Sequence, residues 1–260
     1  MNFTLPLPTG FGCFVGGSNG LASGNHPLEA LTHALCEVIE RDAATLFQAS
    51  PPEIRDARRL DLSTVDDPMC LDLLDRFDRA EVAVGAWDAT SDVGVPVFTC
   101  MIVDRSPDTL RRVSAAGGFG CHPSRSVALA RALTEAAQSR LTLIAGSRDD
   151  LIREQYTEGI DTAALDELRG PGRADFRALP HFEVDTFDEE VGGLLGLLRD
   201  AGFEQVIAVD LTQPGLEIPV VRVVVPGLEA APHAEDYRPG ARFQAVVEAF
   251  SDEDPAEEDP

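Results

Sequence analysis

The chain contains no lysine. All 21 of its basic side chains are arginine, set against 45 aspartates and glutamates, for a formal net charge of −24 at pH 7. A balance of that sign argues against non-specific nucleic-acid binding, which needs basic surface to displace counterions from phosphates. It suits high solubility or a basic peptide partner. No apolar run approaches the roughly 18 residues of a membrane-spanning helix, so no membrane partner is expected. The N-terminus lacks a basic region followed by an apolar one, so no secretory signal is expected. Paired cysteines are also missing. The five present (Cys13, Cys36, Cys70, Cys100 and Cys121) are scattered, with no CxxC or Cys/His spacing for zinc or a disulfide framework. The expected location is the reducing cytoplasm.

What is present is enough for a large core: 260 residues, 44% of them hydrophobic, as one large domain or two small ones. The chain is organised around Ser18-Asn19-Gly20-Leu21-Ala22-Ser23-Gly24-Asn25-His26-Pro27, a small-residue loop that opens onto a helix. Pro27 fits the first helical position, with Asn25 or His26 at the cap. Leu28, Leu31, Leu35, Val38 and Ile39 recur at helical spacing and form a buried face. Glu29, His33, Glu37 and Glu40 or Arg41 line up on another. Two carboxylates one turn apart repel each other unless a cation sits between them. Glu37 and Glu40 are what Mg2+ uses beside phosphate oxygens, and Arg41 offers a phosphate its fork of donors. The plainer reading is a solvated face with one Glu37–Arg41 pair.

Pro51-Pro52 ends this helix, and a polar linker leads to a helix over Pro68–Arg79 with Leu71, Leu74 and Phe77 as its stripe. Strands are expected over Glu81–Thr90 and Val95–Asp104 around a Ser91–Gly94 turn, and over Val113–Ala116. Asp149–Arg169 reads as helical, as does Phe187–Ala201, closed by Gly202. Val206–Leu211 and Pro219–Val225 read as buried strands. Glu229–Arg242 reads as irregular. The last ten residues carry six acids and two prolines and are expected to be disordered.

Gly117-Gly118-Phe119-Gly120-Cys121-His122-Pro123 reads as a second glycine-rich loop, followed by a helix to about Ala145. Shifted by 98 positions, this helix overlays the first: Ala30, Leu31, Ala34 and Leu35 fall on Ala128, Leu129, Ala132 and Leu133. Glu37 falls on Glu135, and Glu40 on Gln138. A degenerate repeat of this kind would let two loop-to-helix units face one ligand, each offering helix N-terminal N–H groups and a polar ridge.

In order along the chain, the Ser18–Gly24 loop, Glu29-Ala30, Glu37-Val38-Ile39-Glu40-Arg41-Asp42 and the Ala132–Arg140 segment resemble the YcaO family of ATP-dependent enzymes. Asp210-Leu211-Thr212, Pro226-Gly227-Leu228-Glu229 and Tyr237-Arg238-Pro239-Gly240 match further landmarks, and the likeness runs to about Phe243. The resemblance implies an α/β (α+β) fold with mixed or antiparallel sheets, packed helices and two related loop-helix units. The implied division is a YcaO-like domain over 1–243, short at its N-terminus, and a helix end with an acidic tail over 244–260.

The family phosphorylates a peptide backbone amide oxygen with ATP, after which a side chain closes an azoline or sulfide gives a thioamide. The resemblance implies ATP and Mg2+ as cofactors. It places the metal at Glu37, Glu40 and Glu135, and nucleotide contacts at Ser18, Asn19, Glu37, Glu40, Arg41, Glu135 and Gln138. An N-terminal Lys-Gly motif and a Ser-x-x-x-Glu helix of the family are absent, as is the PxPxP tail of azoline-forming members. The expected partners are a peptide or protein substrate, a TfuA-type protein and a second copy of the chain. Thioamidation is favoured, with azoline formation and non-catalytic peptide or partner binding as alternatives.

Overall fold

The structure, a computed structural model, describes residues 17–105, 115–145, 168, 170–230 and 237–251. In chain order its elements are β1 (Leu21–Ser23), α1 (Pro27–Ala49), α2 (Pro52–Ala57), β2 (Leu60–Asp61), α3 (Pro68–Arg79), β3 (Val82–Asp88), β4 (Val97–Asp104), β5 (Ala116–Cys121), α4 (Arg125–Ala145), β6 (Ala174–Asp175), α5 (Phe187–Asp200), β7 (Ile207–Asp210), β8 (Val220–Val224) and α6 (Ala241–Ser251). Strands β3, β4 and β5 form one antiparallel sheet in that order, and β1, β8 and β7 a second. The two-residue strands β2 and β6 pair in parallel. This is the mixed α/β arrangement the sequence implied.

Helix α1 is the centre. It packs on β1 and β8 on one side, on β4 and β5 on another, and against α5 and α6. Its cap is His26, whose Nδ1 accepts the Leu28 N–H at 3.2 Å. Asn25 instead donates its own N–H to Glu29 at 2.7 Å. Leu35, Val38 and Ile39 are buried as the spacing requires, while Leu28 and Leu31 are half-buried. One core surrounds α1; another lies between α4, α3 and the far face of the β3-β4-β5 sheet.

Alternation assigns the faces of that sheet. Phe98, Cys100 and Ile102 of β4 belong to the core that includes α4, whereas Val97 and Met101 pack with the core around α1. On β5, Ala116, Gly118 and Gly120 share the α4 side. A Cβ at Gly118 would lie 2.3 Å from the Ala136 nitrogen, and one at Gly120 would lie 2.1 Å from the Ala128 carbonyl oxygen. The glycines therefore bring α4 down onto the strand itself. Gly117–Cys121 is thus a strand and not the loop expected, and each repeated unit is a strand, a His-Pro turn and a long helix.

Strands β3 and β4 lie inside their expected ranges with the 91–94 turn between them, where Gly94 has φ 79°. Helices α3 and α5 also agree, and Gly202 (φ 93°) follows α5. On α3, Leu71 points to solvent, and Leu73, Leu74 and Phe77 pack inward with buried Cys70. Residues 52–57, expected as linker, form the short helix α2. Strand β7 is not buried: Ile207 and Val209 are 48% and 44% exposed, because it is the outer strand of its sheet. Residues 1–17 read as an extended lead-in, and all of it but Gly17 lies outside the described residues, as do the strand start before 115, most of the 149–169 helix and the tail beyond 251. Among the described residues no helix is long and apolar enough to cross a membrane.

Candidate active site

Helices α1 and α4 lie against opposite faces of β5, whose outer edge has no strand partner among the described residues. Their polar ridges meet across that edge. Glu37 and Glu40 from α1 and Glu135 from α4 form one electrostatic group with Arg41 and Arg131. The Gly20 backbone N–H, just before β1, favours the ionised Glu37 carboxyl, and that of Phe119 in β5 favours ionised Glu135. The equivalent glutamates of the two units thus each feel a main-chain dipole from the segment before their helix. Gly20 has φ 73°, and a Cβ there would lie 2.1 Å from the Val223 carbonyl oxygen, so this turn needs glycine.

All three carboxyls are pushed up, first by burial. Glu40, only 6% exposed, is raised to about 7; Glu135 and Glu37 add to the shift, and Arg41 and Arg131 oppose it. No salt bridge within 4 Å joins Glu37 to Arg41 or Glu135 to Arg131, so the plainer reading of α1, a simple ion pair on a wet face, does not describe it. Arg131 donates to the Cys121 carbonyl oxygen at 3.4 Å, which fixes the guanidinium at the same strand edge.

Beside the cluster lies a cleft of about 430 Å³ lined by Ser18, Asn19, Glu37, Arg41, Arg222 and Glu229, among others. Four residues expected in the site therefore share one opening. Asn19 Oδ1 is buried there without a hydrogen-bond partner. Glu40 and Glu135 are tied to Glu37 and Arg41 electrostatically but do not line this cleft. Gln138, one turn beyond Glu135, is exposed, and no described contact joins its side chain to the group.

A second polar cluster adjoins the first through Arg131, which also acts on His33 and His122. His122 Nδ1 accepts the Ser124 N–H at 3.0 Å, and its Nε2 lies 3.0 Å from Glu190 Oε1. Burial, Arg131 and His33 push His122 down to about 4, so the ring is neutral at pH 7 and its Nε2–H donates to Glu190. This contact docks α5 onto the turn before α4. Arg131, Arg222 and Glu190 were not singled out from sequence as site residues. Only Arg131 left a trace, as the residue one turn before Glu135.

A family model described as "YcaO cyclodehydratase, ATP-ad Mg2+-binding" matches residues 1–229. The chain belongs to the YcaO family. A protein of Rhizobium leguminosarum bv. trifolii, described as an uncharacterized protein in the tfuA 3' region, is 41% identical over 222 residues, covering 82% of this chain and 52% of its own length. Among solved structures, a heterocyclase in complex with substrate and cofactor superposes with TM-score 0.70 at 25% identity, over 87% of this chain and 30% of its own. YcaO from Methanopyrus kandleri, bound with AMPPCP and Mg2+, superposes with TM-score 0.62 at 24% identity, over 83% of this chain and 56% of its own. The chain thus spans about half the length of that curated relative.

ATP and Mg2+ are the family's cofactors, and the residues here fit them. Among the described residues no three His, Cys, Asp or Glu side chains stand close enough to hold a metal alone. Mg2+ in nucleotide sites is commonly held by one or two carboxylates, with phosphate oxygens and water supplying the rest. The buried Glu40, the half-buried Glu37 and Glu135, the unpartnered Asn19 oxygen and two arginines are the donor set such a group uses.

Proposed function

We propose that this YcaO chain binds Mg2+-ATP across the edge of β5 and uses it to phosphorylate a peptide backbone amide oxygen, on the way to a thioamide made with a TfuA-type partner. The observation that carries the reading is the meeting of Glu37, Glu40 and Glu135 with Arg41 and Arg131 next to the Ser18-Asn19 cleft. When bound, the nucleotide supplies the phosphoryl group, and its metal neutralises the charge that develops on transfer. From this group Glu37, Glu40 and Glu135 would supply carboxylate oxygens to the metal, with the phosphate oxygens and water completing its shell. Arg41 and Arg131 offset phosphate charge, while Ser18 and Asn19 line the phosphate end of the cleft. The Gly20 and Phe119 N–H groups favour the ionised form of the two flanking carboxylates.

The tfuA-region relative supports the thioamide outcome. The heterocyclase likeness supports a second reading, azoline formation by a Cys, Ser or Thr of the peptide. Calorimetry with Mg2+-ATP tests the site: heat of binding is expected for the chain and is lost in Glu37→Ala, whereas equal binding by that variant overturns the assignment. Mass spectrometry of a modified peptide separates the outcomes, since exchange of oxygen for sulfur marks a thioamide and loss of water an azoline.

A further inference from the structure

The acidic cluster does not end the groove that α1 makes with the β3-β4-β5 sheet. Two helical turns on, a cleft of about 550 Å³ opens between the end of α1, α2 and the α1-facing side of the sheet. Phe47, Trp87, Met101 and Phe119 supply its large apolar walls, and Gln48, Arg55, Asp56 and Thr99 its polar groups. These sheet residues share one face by register: Thr99 stands opposite both Trp87 and Phe119, and Met101 opposite Gly117. Its volume is in the range of small-ligand pockets, which are mostly apolar with a few oriented polar groups. Arg55 Nε is buried in the cleft's rim residue without a partner.

Phe119 joins the two places. It lies beside Gly118, which packs against the Glu135 and Ala136 backbone, and it forms part of the cleft wall. On α1, Glu40 and Phe47 are seven residues apart, roughly 10 Å along the axis. An extended peptide covers that distance in about three residues.

Given the peptide-activating function proposed above, we propose that this cleft receives an apolar or aromatic side chain of the peptide substrate, about three residues from the amide that is phosphorylated. Aromatic and thioether walls select for a large apolar side chain and against a charged one, which would lose its hydration there. The unpartnered Arg55 donor then meets a peptide carbonyl oxygen at the rim.

Trp87 is the chain's one tryptophan and Met101 one of three methionines, so the cleft carries its own reporters. The probes are capped tetrapeptides, N-acetyl-Gly-X-Gly-Gly-amide, with X as Phe, Leu, Ser or Asp. Trp87 emission and 13C-methyl methionine spectra are followed during titration of the full chain. The Phe and Leu peptides should change Trp87 emission saturably and shift the Met101 methyl, while exposed Met69 stays still. A Cβ at Gly117 would stand 3.6 Å from the Cys100 carbonyl oxygen, an ordinary contact, so Gly117→Leu fills the cleft without straining the strand.

That variant should melt like the parent and bind the Phe peptide weaker by about tenfold or more. An equal response to the Asp peptide, or an unchanged affinity in a folded Gly117→Leu, overturns the assignment. Mg2+-ATP calorimetry on the same samples separates failures. Nucleotide binding without a peptide response refutes the cleft alone, and a peptide response without nucleotide binding refutes the proposed nucleotide site alone.

Discussion

Glu40→Gln separates what the site does for function from what it costs the fold. Burial, with Glu135 and Glu37 nearby, raises the Glu40 carboxyl from 4.5 to about 7. The folded chain therefore binds that proton more tightly than the unfolded chain. Its stability is greatest where both states are protonated, below pH 4.5, and falls as pH rises through about 7. The full displacement corresponds to about 3 kcal/mol, all of it present above pH 7 or so. Glutamine keeps the shape and never ionises. The variant should match the parent near pH 4 and exceed it by up to about 3 kcal/mol near pH 8. Urea unfolding at the two pH values measures this directly.

Function should move the opposite way. Mg2+-ATP at a hundredfold excess over its dissociation constant stabilises a folded chain by about 2.7 kcal/mol. The parent should show that gain at pH 8, where Glu40 is already ionised and the cation offsets its buried charge. Glu40→Gln, missing one carboxylate, should show little of it. A variant no more stable than the parent near pH 8 would mean that Glu40 is not held under electrostatic strain. A variant that keeps the full nucleotide response would remove Glu40 from the metal site.

Gly118→Ala forces a methyl to within 2.3 Å of the Ala136 nitrogen, so it should cost about 1–3 kcal/mol and weaken Mg2+-ATP binding by shifting Glu135. Gly117→Ala, on the open face, should do neither, and thermal melts with calorimetry compare the pair. Asp42→Asn breaks a pairing in which Arg242 Nε and Nη2 each lie 2.9 Å from a carboxylate 0% exposed. Chemical denaturation should show a loss of about 3–5 kcal/mol, with faster hydrogen exchange in α6. Asn19→Ala removes the buried unpartnered oxygen, so the ligand-free chain should gain stability, about 1 kcal/mol, while Mg2+-ATP affinity falls; equal affinity would exclude Asn19 from the cleft's chemistry.

The parts legible in sequence were those encoded by neighbours in the chain. The α1 ridge, α3, α5 and the β3–β4 hairpin follow from periodicity and turn residues. Gly117, Gly118 and Gly120 misled because glycine is equally the residue of loops and of close approach, and only the position of α4 decides between them. The 206–211 run misled because apolar composition does not say which strand lies outermost in a sheet. Arg242 meets Asp42 across 200 positions, a pairing with no local signature.

The duplication explains why the carboxylates can be gathered at all. A single amphipathic helix buries its apolar face and leaves an acidic ridge to water, where the charges cost little and bind weakly. Two such helices on opposite faces of one strand cannot both do so at its edge, since the strand is only one residue thick. Glu37 and Glu135 are each half-buried and biased toward ionisation by the Gly20 and Phe119 N–H groups. Glu40 is left between them with its charge suppressed. Close packing by Gly118 and Gly120 sets how near the ridges come. The crowding of these carboxyls is thus generated by the fold's own geometry, and a cation among them would relieve it.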